Sequence, residues 1–160
     1  MDIKKTANLL INFTIQRLAE IFGILVFISG LFLFLALLTY SPEDPNFIFP
    51  DNTDIKNILG FQGSFFSDLF LQSIGLISYM FSLTLIITGI NIFRTKEFFL
   101  IIENIFFAAI YSVSGTLFLS HFYLDSFNLY INGNGGFVGI YFNQTFLNSL
   151  ILFNEKIFYY

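Results

Sequence analysis

The groups in this chain that could do chemistry are few, and their spacing argues against most of what they could do. Glu43, Asp44, Asp51, Asp54 and Asp68 stand close together against a single Lys56. Clustered carboxylates can hold a cation, but a calcium loop needs ligands at alternating positions and a glycine at its sharp turn, and neither is present. The cluster reads as a solvated acidic face. The absence of cysteine removes thiolate metal sites, disulfides and cysteine nucleophiles. Glu103 and the one histidine, His121, lie near opposite ends of a single apolar run. An intramembrane charge is a functional hypothesis by default, yet each is within about a turn of an interface, where snorkelling to water satisfies it. Nearly a membrane apart, the two cannot share a site within one helix. The run Asn132-Gly133-Asn134-Gly135-Gly136-Phe137-Val138-Gly139 has the glycines of a phosphate cradle. No Lys-Ser/Thr follows it, and the spacing is not G-x-G-x-x-G, so a tight turn into a helix is the better reading. The expectation is a segment with no catalytic residue, no metal ligand and no cofactor.

The elements that position these groups are membrane helices. Of the 160 residues, 56% are apolar and 11% charged, and mean hydropathy is +0.76, whereas a soluble domain carries about a quarter charged residues. The net charge of −4 provides no basic field for nucleic acid, so any DNA partner needs a part not present here. Spans are expected at about 21–40, 69–93 and 101–123, each near the roughly 20 residues that cross hydrocarbon. The first is too long for the core of a signal peptide and lacks small residues for cleavage at its end. It stops at Leu37-Leu38-Thr39-Tyr40-Ser41-Pro42-Glu43-Asp44-Pro45-Asn46, where the prolines remove backbone donors and the acids resist burial. Residues 41–68 then form a polar loop, with a short turn over 55–59 and bends at Gly60 and Gly63.

Five of the seven cationic residues, Lys4, Lys5, Arg17, Arg94 and Lys96, fall in the N-terminal segment and the short connection between the second and third spans. By the positive-inside rule that side is cytoplasmic. Gly23, Gly30 and Ala36 in the first span form a stripe of small residues, as do Gly75, Ser78, Ser82 and Gly89 in the second and Ala108, Ser112 and Gly115 in the third. These are expected helix seams. Residues 140–153 place Phe142, Phe146, Leu150 and Phe153 on one face, predicting an interfacial helix over about 136–155. The fold class is therefore all-α, a polytopic integral membrane helical bundle with three transmembrane helices plus an amphipathic or re-entrant fourth helix. Residues 1–160 form one membrane-anchoring domain.

Several motifs now carry a resemblance. Leu-Leu-Thr-Tyr-Ser41-Pro42-Glu43-Asp44-Pro45, Asn57 followed by Gly60 and Gly63, Asp68 before a span holding Gly75 and Tyr79, and Gly135-Gly136-x-x-Gly139 occur in that order. Together they resemble the N-terminal membrane domain of the FtsK/SpoIIIE family of bacterial DNA translocases. Departures are Ser64 and Ser67, where that family usually has alanine, and Phe81, where proline is common. The resemblance implies an anchor in the bacterial inner membrane at the division septum. Its implied partners are the lipid bilayer, further copies of itself and other division proteins, and it reaches DNA only through a C-terminal motor. That motor, its linker and the fourth span are not in this sequence, which reads as a fragment or truncated form. The alternative is a small transporter or channel subunit, which would need polar residues of several spans to converge on a midplane path. An intramembrane enzyme would need paired carboxylates or a nucleophile within a span.

Overall fold

The computed structural model describes residues 3–45, 54–123, 132–147 and 149. Helix α1 runs unbroken over Ile3–Leu38, about 54 Å at 1.5 Å per residue. It therefore begins well before the expected start at residue 21. Helix α2 spans Gly60–Ile74, α3 Ile77–Thr95 and α4 Leu100–Phe122. A short α5, Gly136–Phe142, passes directly into a π-helical turn, Asn143–Leu147. Three stretches, Asn8–Leu38, Ile77–Thr95 and Leu100–Phe122, are long and apolar enough to cross a membrane. The bundle is all-α with three helices fit to cross a membrane, as expected, and two short helices, α2 and α5, accompany them.

The α1–α3 seam explains why these two helices run antiparallel side by side. Ala19, Gly23, Val26, Gly30, Leu33 and Leu37 are buried at alternating spacings of four and three, the heptad rule for helices in extended contact. Opposite them stand Ser82, Leu85, Gly89 and Ile92. Glycine is required where the backbones meet. A Cβ on Gly89 would lie 2.4 Å from the Phe27 amide nitrogen, and one on Gly30 would lie 2.7 Å from that of Ile86. At one end of the seam Glu20 takes Arg17 on one carboxylate oxygen and Lys96 on the other, both at 2.6 Å. The N-terminal half of α1 and the α3–α4 connection are thus at the same end of the bundle.

Helix α4 packs on α3 through polar pairs that hydrocarbon would otherwise leave unsatisfied: Thr84 to the Tyr111 hydroxyl at 2.7 Å, and the Asn104 amide to Thr88 at 2.9 Å. The expected seam residues Ala108 and Ser112 are buried. Hydroxyls of Thr14, Ser29 and Ser114 donate back to carbonyls four residues earlier, which lets them sit on apolar helices. Glu103 and His121 are both exposed, near opposite ends of α4.

Two expectations are corrected. The second span does not run continuously over 69–93: α2 ends at Ile74, Gly75 adopts φ 58, ψ −141, and α3 starts at Ile77. That backbone conformation is essentially restricted to glycine, so Gly75 breaks the apolar run despite its hydropathy. Nor is the polar loop a loop as far as Asp68. Gly60, at φ 66, starts α2, and Asp68 lies within that helix. At 15 residues, about 22 Å, α2 is short of the roughly 30 Å needed to span. It stays beside the last turns of α1, with Phe66 edge-on to Phe32 and Leu71 buried with Leu33 and Leu37. Of the helix expected over about 136–155, residues 148 and 150–155 lie outside the described residues, as do Leu150 and Phe153 of its apolar face and Asp51 of the acidic loop.

Candidate functional site at two interlocked loops

The proline-acid motif folds into a latch across the end of α1. Pro42 is the second residue of a turn closed by the Asp44 amide donating to the Ser41 carbonyl at 3.2 Å, the position a fixed φ favours. The turn aims the Asp44 side chain inward, where it is only 3% exposed. Its Oδ1 accepts the Lys56 amide at 2.9 Å, and its Oδ2 accepts the Asn57 amide at 2.8 Å. Both carboxylate oxygens are engaged by backbone donors, which leaves Asp44 fitted for structure rather than for metal or proton transfer. Glu43 beside it is exposed and pairs with the Lys56 ammonium. That pairing holds the Glu43 carboxyl below its ordinary pKa and the Lys56 ammonium above its own.

Asn57, pinned by Asp44, closes the helix. A helix end leaves its last four carbonyls without intrahelical partners. The Asn57 Nδ2 donates to the Ala36 carbonyl at 2.9 Å and to that of Thr39 at 3.3 Å. The Tyr79 hydroxyl, from the next span, donates to the Leu37 carbonyl at 2.9 Å. Asn57 Oδ1 accepts the Leu59 amide at 3.1 Å. Gly63, expected at a bend, instead lies within α2 and gives this amide room, since a Cβ there would sit 2.1 Å from Asn57 Oδ1. Asp68 meets the same latch from α2 by accepting the Tyr40 hydroxyl at 3.1 Å and the Gln72 amide at 3.4 Å. At the two positions where alanine was expected, Ser64 donates to the Pro45 carbonyl at 2.9 Å and Ser67 to that of Ser64 at 3.0 Å. Phe81, where proline was expected, packs its ring 5.4 Å from that of Phe70.

The glycine loop enters the break in the second span. The Asn134 carbonyl accepts the Leu76 amide at 2.9 Å, taking a donor that the break leaves free. A Cβ on Gly75 would stand 1.9 Å from that same oxygen. Gly136 has φ 63 and faces the Ser73 carbonyl, which a Cβ would approach to 2.6 Å. Gly135 and Gly139 pack against α4, where a Cβ on either would come within 2.5 Å of the Thr116 carbonyl. The glycine run reads in sequence as a tight turn into a helix. Gly136 has the required positive φ, but Gly135 is in ordinary helical backbone at φ −89, and its bareness permits close packing. Asn134 is buried and donates to the Tyr123 carbonyl at 2.5 Å, while Asn132 donates to that of Gln72 at 3.2 Å. Thr116 and Ser120, which complete this junction, were not singled out in the sequence, and Asn134 was read only as part of the glycine run. Only their polar character within apolar surroundings marked them.

The chain matches the family model described as the 4TM region of DNA translocase FtsK/SpoIIIE over residues 16–154. It belongs to that family. It is 37% identical over 84 residues to the DNA translocase FtsK of Pseudomonas putida, covering 51% of this chain and 10% of that protein. A longer match, 27% over 132 residues, is to the DNA translocase FtsK of Rickettsia prowazekii, covering 81% of this chain and 17% of that one. The chain thus spans about a tenth to a sixth of the length of these relatives. No solved structure matches it. Within the FtsK/SpoIIIE frame, the latch at Asp44 and the junction at Gly75 are two places where hydrogen bonds to the backbone join residues distant in sequence. Among the described residues no three His, Asp or Glu side chains gather as metal ligands.

Proposed function

We propose that this chain is the membrane anchor of an FtsK-like DNA translocase, acting in cell division and chromosome segregation at the septum. The observation that carries the reading is the family match over residues 16–154, whose motif residues converge on two structural junctions. In this reading the segment does no chemistry. DNA is moved by an ATPase motor in another part of the full-length protein, and the anchor holds that motor at the bacterial inner membrane as an oligomer among other division proteins. The N-terminus and the Arg94–Lys96 connection face the cytoplasm, which the shared position of Arg17 and Lys96 on Glu20 supports. The proline-acid latch then faces the opposite compartment, presenting Glu43 and Lys56 to partners.

The test is a chimera in which this chain replaces the N-terminal membrane domain of Pseudomonas putida FtsK, carrying a fluorescent tag. Septal localisation with normal chromosome segregation is the expected result. A protein that inserts at normal abundance but spreads evenly around the membrane contradicts it. Orientation is read separately with single cysteines at Asn52 and Thr95. An impermeant thiol reagent on intact cells should label Asn52→Cys alone, and labelling of Thr95→Cys alone would reverse the topology.

A further inference from the structure

At the Lys96 end of the α1–α3 seam the two helices meet so closely at Gly23 and Gly89 that a trough opens beside the contact. It has a volume of about 230 Å³ and is lined by Gly23, Ile24, Phe27, Gly89, Ile90 and Phe93. Every one of these residues is apolar, and the trough belongs to two helices that are long and apolar enough to cross a bilayer. Water gains nothing there, and hydrocarbon does. Immediately beyond its end the character changes. The Lys96 ammonium stands 4.7 Å from the centroid of the Phe93 ring that forms the trough's wall, and Arg94 follows Phe93 directly and is exposed. The acids on this part of α1 and the α3–α4 connection are Glu20, shared between Arg17 and Lys96, and the exposed Glu97, so Arg17, Lys96 and Arg94 outnumber them by one, and Lys96 and Arg94 are the charges next to the trough wall. Among the described residues no carboxylate pairs with Arg94.

We propose that this trough is a binding site for one anionic phospholipid of the surrounding bilayer, with an acyl chain along Phe27, Ile24 and Phe93 and its phosphate facing Lys96 and Arg94. The complementarity is twofold: an apolar trough for a chain, and cations at the depth where a headgroup stands. A second copy of this chain fits less well. Two copies inserted in the same orientation would bring both sets of cations to the same level and oppose each other. The inference rests on the bilayer placement of α1 and α3 and is independent of the translocase reading.

The experiment uses the whole chain in nanodiscs of phosphatidylcholine holding a minority of phosphatidylglycerol, with retained lipid counted by native mass spectrometry after detergent release. Wild type should retain phosphatidylglycerol in preference to phosphatidylcholine. R94Q with K96Q should weaken that preference by about five-fold for each cation removed. Ile24→Trp, which fills the trough and keeps the cations, should lower retention of both lipids. Thermal melting of each variant reports its folding, and Ile90→Trp serves as the filler should Ile24→Trp fail to fold. Equal retention of the two lipids by wild type, or a preference unmoved by both kinds of variant, would overturn the site. Disulfide-linked dimers of Ile24→Cys without phosphatidylglycerol enrichment would assign the trough to a second copy and overturn it equally.

Discussion

The two ends of this bundle are held together by different physics. At the Lys96 end, α1 and α3 approach through missing side chains: Gly23, Gly30 and Gly89 remove atoms so that backbones touch. Beside the Lys96–Glu20 ion pair, dispersion over a long heptad seam carries the contact. At the Asp44 end the chain breaks twice, after Leu38 and at Gly75, and each break exposes donors and acceptors that hydrocarbon cannot satisfy. There the partners are specific side chains, Asp44, Asn57 and Tyr79, and the carbonyl of Asn134. Outside its glycines, the seam should tolerate variation in which apolar residue fills it. The breaks do not, because each orphaned backbone group needs a particular atom at hydrogen-bonding distance. This difference accounts for why the recognisable motifs of the chain gather at the broken end.

Returning side chains to the junction should have the largest effect. Gly75→Val should cost on the order of 3 kcal/mol or more, since the conformation is closed to β-branched residues and a Cβ would occupy the place of the Asn134 carbonyl. Limited proteolysis of membranes should show the α2–α3 connection and the glycine loop cut while α1 remains intact. Gly135→Val with Gly136→Val should act similarly from the other side, and normal septal abundance of that double variant would contradict the account. Next in size is Asn57→Ala, which leaves the Ala36 and Thr39 carbonyls without their side-chain donor and should cost about 2–4 kcal/mol in a thermal or denaturant melt. Asn57→Asp sharpens this result. It retains the acceptor for the Leu59 amide but cannot donate, so it should remain close to alanine and far from wild type.

Asp44→Asn should cost less, about 1–2 kcal/mol, because one oxygen still accepts an amide while the other is replaced by a donor facing a donor. The smallest effect belongs to Glu43→Gln, which removes an exposed ion pair and should leave melting within the scatter of surface substitutions. Its signature is in pH dependence. With the Glu43 pKa lowered, the pair's contribution is present above the ordinary carboxylate range and fades as pH falls through the lowered value. With the Lys56 pKa raised, the contribution is also lost as pH rises through that raised value. A melt of Glu43→Gln against wild type between these limits should show the small difference vanish in acid.

Much of the seam was legible because hydropathy and small-residue spacing report the same thing that packing uses. Gly23, Gly30 and Gly89 could be named as contacts from spacing alone, and α4 begins and ends within a residue of its expected bounds. The break at Gly75 was not legible. Its immediate neighbours, Ile74 and Leu76, are apolar, and the carbonyl that takes the donor freed by the break comes from Asn134, nearly sixty residues later. The work of Asn57 was hidden for a related reason: an asparagine three residues before Gly60 reads as part of a turn, and nothing local reveals that its amide reaches back to Ala36. Gly63 and Gly135 looked like bends because glycine commonly marks them, whereas here the absence of Cβ serves close approach inside a helix.

Asp44, through the backbone of Lys56 and Asn57, fixes the latch that closes the first span. Amide hydrogen exchange at residue resolution, on the chain in nanodiscs, tests it most directly. The Lys56 and Asn57 amides should be strongly protected in wild type although they lie outside any helix, and Asp44→Ala should abolish that protection while the amides around Gly30 exchange as before. Rapid exchange of both amides in wild type, or protection that survives Asp44→Ala, would contradict the account.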